Sequence, residues 1–163
     1  MDGVLVLADT HLPAHSADAL PIEIWDAARK ATAILHAGDV VCPQLLDALG
    51  QLAPLHAVLG NNDLGHLELP ERLEVELSGV AVAMVHDSGA RIGREARMQR
   101  WFPSAAVVIF GHSHDPMNAR SPAGQLLFNP GSPTQRRRQP ACSYGWLRLD
   151  QGRVLDHEVR LLR

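Results

Sequence analysis

The segment Ala105-Ala106-Val107-Val108-Ile109-Phe110-Gly111-His112-Ser113-His114 joins an unbroken apolar run to two histidines spaced two residues apart. The run is β-branched and bounded by Pro103 and Gly111, which reads as a buried strand. Side chains at i and i+2 of an extended chain point the same way, so His112 and His114 are expected to converge on one small volume. An isolated His-x-His is more often a pair of surface histidines in a turn. Here four further groups of metal-ligating residue types each follow an apolar run, and the pair is read with them.

Working outward, Val4 to Ala8 is an apolar run that ends in Asp9-Thr10-His11. Ala17 to Ala33 has Leu20, Ile24, Ala27, Ala28 and Ala31 at helical spacing, with Ser16 or Asp18 as cap and Pro21 in the first turn. Thr32 to Ala37 reads as a strand ending in Gly38-Asp39, Gln44 to Leu52 as a short helix, and Leu55 to Leu59 as a strand ending in Gly60-Asn61-Asn62-Asp63. This β-α-β-α-β order implies a parallel sheet with crossover helices, and ligands of such sheets bind at the carboxyl ends of the strands. Arg72 to Leu77 and Val80 to Val85 flank Ser78-Gly79 as a hairpin that delivers His86-Asp87. Gly89 to Phe102 reads as a basic amphipathic helix. The rest is β: Met117 to Arg120, Gln125 to Phe128, Ser143 to Leu149 and Val154 to Leu162, with Asn129-Pro130-Gly131-Ser132 as a tight turn.

Length and composition bound these readings. The 163 residues predict one domain, 1–163, large enough for a full core without staples. With 46% hydrophobic and 20% charged residues the composition is that of an ordinary globular protein. No apolar run approaches the roughly 20 residues of a membrane helix. Gly3 to Ala8 lacks a basic n-region and is too short for a signal peptide, so a cytoplasmic location with no membrane partner is expected. A formal net charge of −3 argues against general attraction to nucleic acid. Cys42 and Cys142 have no zinc-type spacing and are read as free thiols. Nine histidines are many for this length.

Collected, the polar groups at strand ends are Asp9-x-His11, Asp39, Asn61-x-Asp63, His86 and His112-x-His114. Imidazole, carboxylate and amide donors together suit borderline first-row metals. The set is too large for one tetrahedral ion and about right for two, which a carboxylate can bridge.

These five blocks, in this order, resemble the calcineurin-like metallophosphoesterase superfamily. The short length and the Asn129-Pro130-Gly131-Ser132 turn resemble its small YfcE-type branch. The resemblance runs from Val4 to about Leu149. It implies an α/β fold of two β-sheets packed face to face with flanking helices, a four-layer αββα sandwich. It implies two divalent transition-metal ions, manganese first, with nickel, iron, cobalt and zinc also suited. Asp9, His11 and His114 would hold one ion, Asn61, His86 and His112 the other, and Asp39 would bridge them. Asp39, Asn61, Asp63 and His86 are the implied catalytic set, with Asp63 supporting the ligands from behind. The implied activity is hydrolysis of a small phosphate ester, a diester rather than a monoester, by a metal-bridging hydroxide.

Two positions depart from the family pattern. Asn62 stands where many members carry a histidine proposed to protonate the leaving group, and an amide cannot act as that acid. Asp87 stands where glycine is frequent and is read either as a group that orients a ligand or water or as a solvated turn residue, the second being preferred. His15, His36, His56, His66 and His157 match no ligand position; His36 and His56 lie in predicted strands, and His66 falls in a loop within reach of substrate. An arginine of Arg136-Arg137-Arg138 is a candidate phosphate contact. The alternative function is a protein-interaction scaffold of the same fold, resembling the retromer scaffold subunit of eukaryotes. A scaffold can lose ligands freely, whereas this chain has a candidate at every ligand position, which favours an enzyme. A nuclease reading lacks the capping domain and the basic charge. A homo-oligomer is compatible with the sequence.

Overall fold

The computed structural model describes residues 1–65 and 67–163; the reading of His66 as a loop residue near substrate lies outside them. Two five-stranded sheets pack face to face. The first contains β1 (Asp2–Leu7), β2 (Ala33–His36), β3 (Leu55–Ala57), β9 (Ser143–Asp150) and β10 (Arg153–Leu161), in the order β10-β9-β1-β2-β3. The second contains β4 (Arg72–Leu77), β5 (Val80–Val85), β6 (Val107–Ile109), β7 (Met117–Arg120) and β8 (Leu126–Asn129), in the order β4-β5-β6-β8-β7. In the first sheet β1, β2 and β3 run parallel; in the second β5, β6 and β8 do. All these strands bring their carboxyl ends to one edge of the sandwich.

The apolar runs are continuous because the central strands are covered on both faces. Along β1, Val4 and Val6 face the second sheet and pack with Met84, Ile109 and Phe128, whereas Leu5 and Leu7 face outward. The outward layer is α1 (Ile22–Lys30) and α2 (Pro43–Gly50), whose Ile24, Ala28, Leu45 and Leu49 are fully buried on it. On the far side, α3 (Arg94–Trp101) sets Met98 against Ala83, Val108 and Leu127. The result is the expected αββα sandwich. Among the described residues no helix is long and apolar enough to cross a membrane.

Two helix boundaries correct the sequence reading. Ala17–Ala19 form only a 3-10 turn, and α1 begins at Ile22 with Pro21 as its N-cap rather than in its first turn. The proline ring excludes helical geometry from the residue before it, and Leu20 is accordingly extended at φ −64° and ψ 134°. Ser16 makes no side-chain capping bond. Likewise α3 starts at Arg94, not Gly89, because Gly93 sits at φ +75° and breaks the helical run before it.

Candidate metal centre

Five of the predicted ligands have left-handed backbone: Asp9 (φ 56°), His11 (44°), Asp39 (56°), His112 (72°) and His114 (60°). Non-glycine residues rarely adopt this region, and such strain concentrates at functional sites. It also corrects the argument from strand geometry. His112 and His114 are not extended, so they diverge instead of converging. His114 turns toward Asp9 and His11, with its Nε2 3.2 Å from His11 Nε2. His112 turns the other way, with its Nδ1 3.2 Å from Asn61 Oδ1.

Between these flanks lie two carboxylates. Asp39 Oδ2 is 3.5 Å from His11 Nε2 and 3.3 Å from His86 Nε2. Asp9 Oδ1 is 3.6 Å from His114 Nε2, 3.8 Å from His11 Nε2 and 3.9 Å from His86 Nε2. Two overlapping groups able to hold a metal follow, Asp9-His11-His114 and Asp9-Asp39-His86. Asn61 Oδ1 approaches His86 Nε2 to 3.0 Å and so extends the second group to His112.

The donor chemistry of these groups fits a cation. Asp9 Oδ1 is buried and has no hydrogen-bond partner among the described residues, a costly state for a carboxylate oxygen left alone. His86 Nδ1 lies 2.8 Å from the carbonyl of Ala37 and donates to it. Its Nε2 therefore faces three oxygens, those of Asn61, Asp39 and Asp9, and offers a lone pair to a cation there once its proton is given up. His114 Nδ1 donates to the carbonyl of Gln135 at 3.2 Å, which turns its Nε2 inward in the same way. A backbone carbonyl on the second ring nitrogen is the usual support of a metal-binding histidine.

Charge states follow from these contacts. Burial alone would raise the Asp39 carboxyl. Hydrogen bonds from His86 and from the backbone and side-chain amides of Asn62 outweigh it and hold the carboxyl well below the usual carboxylate range. Burial pulls His86 down, but the bond to Asp39, the Ala37 carbonyl and the Asp9 charge move it up overall. His114 is pushed down, chiefly by burial, which favours the neutral ligand form.

The surrounding residues hold the loops in place. Asp63 is fully buried. Its oxygens accept from the backbone N–H groups of Asp39 (2.9 Å), Val40 (3.3 Å), Val41 (2.8 Å) and Gly60 (2.9 Å). Among the described residues its hydrogen bonds all come from backbone, which makes it a positioning residue for these loops. Gly60 is required by close approach, since a Cβ there would collide with the backbone and carboxylate of Asp39. Asn129 and Ser132 shape their turn as anticipated: Ser132 Oγ donates to the Asp9 carbonyl at 2.7 Å, and Asn129 Oδ1 accepts from Gly131 N at 2.9 Å. Asp87 is an exposed turn residue that accepts from the amide of Gly89 at 2.8 Å, and its other oxygen lies 4.0 Å from His112 Nε2. Arg136 bonds the Gln139 carbonyl, while the charge of Arg137 is felt at His114.

His36 carries a role that the sequence reading left as plain core. It is fully buried, accepts from Gly38 N at 3.2 Å through Nδ1, and meets Thr10 Oγ1 at 3.1 Å through Nε2. It thus braces the loops bearing Asp9 and Asp39. Burial is the largest influence and pushes its pKa down to about 4, so the ring is neutral in the fold. The unfolded chain takes up this proton near pH 6.5 and the folded one only near 4. The stability is fully present above pH 6.5 and is lost as pH falls from there toward 4, by about 3 kcal/mol in all. Urea unfolding of wild type and His36→Gln at pH 7 and pH 5 checks this. The wild type is expected to lose about 2 kcal/mol more than the variant over that interval; parallel losses would rule the mechanism out.

Comparison with known proteins gives the same assignment. Residues 3–152 match the family model of the calcineurin-like phosphoesterase superfamily domain. A probable metallophosphoesterase of Methanothermobacter thermautotrophicus is 35% identical over 158 residues, which cover 94% of this chain and 89% of that one. Among solved structures, vacuolar protein sorting 29 of Cryptosporidium parvum superposes with TM-score 0.85 at 21% identity, covering 99% of this chain and 92% of that one. Vps29 of Entamoeba histolytica complexed with zinc gives 0.77 at 23%, covering 98% of each chain. An archaeal phosphodiesterase gives 0.72 at 19%, covering 98% of this chain and 99% of that one. The structural matches, at these identities, speak to the fold. With the family model spanning most of the chain and a relative above 30% identity along nearly its whole length, the protein belongs to the calcineurin-like phosphoesterase superfamily.

Proposed function

We propose that this protein is a metal-dependent phosphodiesterase of the cytoplasm, with two divalent ions held where the strand ends meet. The buried, unpartnered Asp9 Oδ1, facing three imidazoles, carries the reading. Asp9, His11 and His114 would hold one ion and Asn61, His86 and His112 the other, with Asp39 between them. Bound there, the ions supply Lewis-acid stabilisation of a phosphoryl oxygen and a nucleophile at neutral pH; manganese leads, with nickel, iron, cobalt and zinc as further candidates.

The chain's own residues set the terms of that chemistry. Asp63 fixes the loop from which Asp39 projects. The backbone and side-chain amides of Asn62 both donate to Asp39, each at 2.8 Å, so Asn62 orients a ligand and has no proton to give a leaving oxygen. Small phosphodiesters whose leaving groups need little protonation are therefore the favoured substrates. The two cysteines are unpaired, which suits a reducing compartment.

The test compares metal-stripped protein with protein given manganese, nickel or zinc, on bis-p-nitrophenyl phosphate and p-nitrophenyl phosphate. Turnover is expected only with metal, faster on the diester, and lost in His86→Ala. Manganese at a hundredfold excess over its Kd should stabilise the fold by about 2.7 kcal/mol, read as a rise in Tm of several degrees. Metal binding without turnover of either ester would leave a binding module in this fold, and absence of metal binding would overturn the centre itself.

A further inference from the structure

A cavity of about 330 Å³ opens directly beside Asn61, His86 and His112. Leu59, Leu64 and Val85 give it apolar wall, and Arg72 and Trp101 line it as well. The Arg72 guanidinium sits over the Trp101 indole, its Cζ 3.9 Å from the ring centroid. The sheet fixes this stack relative to the centre, because Arg72 pairs in register with Val85, the residue before His86. Trp101 is the last residue of α3 and packs edge-on against Phe102.

We infer that this cavity seats the organic arm of the substrate that stays on phosphorus, and that it selects an uncharged planar heteroaromatic arm, a nucleoside. This rests on the phosphoesterase reading and names its substrate class. A guanidinium held on an indole leaves its other face as a platform on which a flat ring stacks, and Trp101 adds aromatic edge and face. Glu71 and Asp87, both exposed at the rim, accept hydrogen bonds from ring N–H groups and repel anionic arms. The volume lies at the small end of ligand pockets, which run from about 300 to 1,000 Å³. It therefore takes one arm and not a polynucleotide, in keeping with a net charge of −3.

Thymidine 5′-(p-nitrophenyl phosphate) and methyl p-nitrophenyl phosphate test this, since they share a leaving group and differ only in the retained arm. Wild type is expected to favour the thymidine ester at least tenfold in kcat/KM, mostly through KM. Trp101→Ala and Arg72→Ala should bring the ratio to within twofold of unity through a loss on the thymidine ester larger than any on the methyl ester; Trp101→Phe should keep most of the preference. A ratio near unity in wild type, or equal losses on both esters in the variants, overturns the inference. Binding is read separately by titrating thymidine 5′-phosphate into metal-loaded protein and following the fluorescence that is lost in Trp101→Phe. Quenching of that component without turnover of any ester would keep the pocket and defeat the phosphoesterase reading. No quenching at millimolar nucleotide would defeat the pocket whatever the turnover.

Discussion

Replacing Asp39 by alanine is expected to lower kcat/KM for a phosphodiester by about a thousandfold or more, equivalent to roughly 4 kcal/mol of transition-state stabilisation. Asp39 faces both flanks of the centre, 3.5 Å from His11 and 3.3 Å from His86, and Asp9 does so at the longer distances of 3.8 and 3.9 Å. Its removal takes away the one side chain that the proposed centre shares between two ions. It also frees the two amide donors of Asn62 that now terminate on it. Bound manganese, measured by elemental analysis after dialysis, should fall from two ions to at most one per chain. Unaltered metal content together with a loss below tenfold would contradict the bridging role. Because hydrogen bonds outweigh burial and hold the Asp39 carboxyl low, this ligand stays ionised far into the acid range. Loss of activity on acidification should then follow His86, whose pKa, lowered by burial, is raised overall by its bond to Asp39, and not this carboxylate.

Asp63→Ala should instead act through the fold. Four backbone N–H groups terminate on this buried carboxylate. Each buried donor left unsatisfied costs about 1–3 kcal/mol, and a destabilisation of about 4 kcal/mol or more is expected even after partial relaxation. The segment it holds is strained: Asp39 and the β-branched Val41 sit at φ 56° and 64°. Without the carboxylate that strain has no counterweight, and the 39–41 loop should open. Urea unfolding reads the stability, and manganese affinity should fall by about 10–100-fold, as for other residues that support a ligand from behind. Asp63→Asn separates this from a chemical role. An amide offers one accepting oxygen in place of two, so stability and metal affinity should fall together. A variant of wild-type stability with abolished turnover would show that Asp63 acts in the reaction.

Much of this centre could be read along the chain because each ligand follows directly on an apolar run. Val4 to Ala8, Ala33 to Ala37, Val80 to Val85 and Val107 to Phe110 are buried on both faces, so they could only be central strands, and the polar residues after them could only lie at the sandwich edge. Helix ends were less legible. Pro21 and Gly93 displaced them through backbone preferences that apolar periodicity does not register.

What chain order determined was the ligand inventory and the sheet architecture, since both follow from where apolar runs stop. Which ligands face each other was decided by tertiary contact. Asp9, His11, Asp39 and Asn61 follow strands of one sheet, and His86, His112 and His114 follow strands of the other. Only face-to-face packing brings them within 4 Å. The left-handed turn at His112 and His114 separates two residues that strand geometry would have aligned. The buried tether of Asp63, the His36 brace and the Arg72–Trp101 stack likewise join residues 22 to 29 positions apart. Such pairs leave no local pattern, because the energy that forms them comes from excluding water between elements and not from the preference of any one segment.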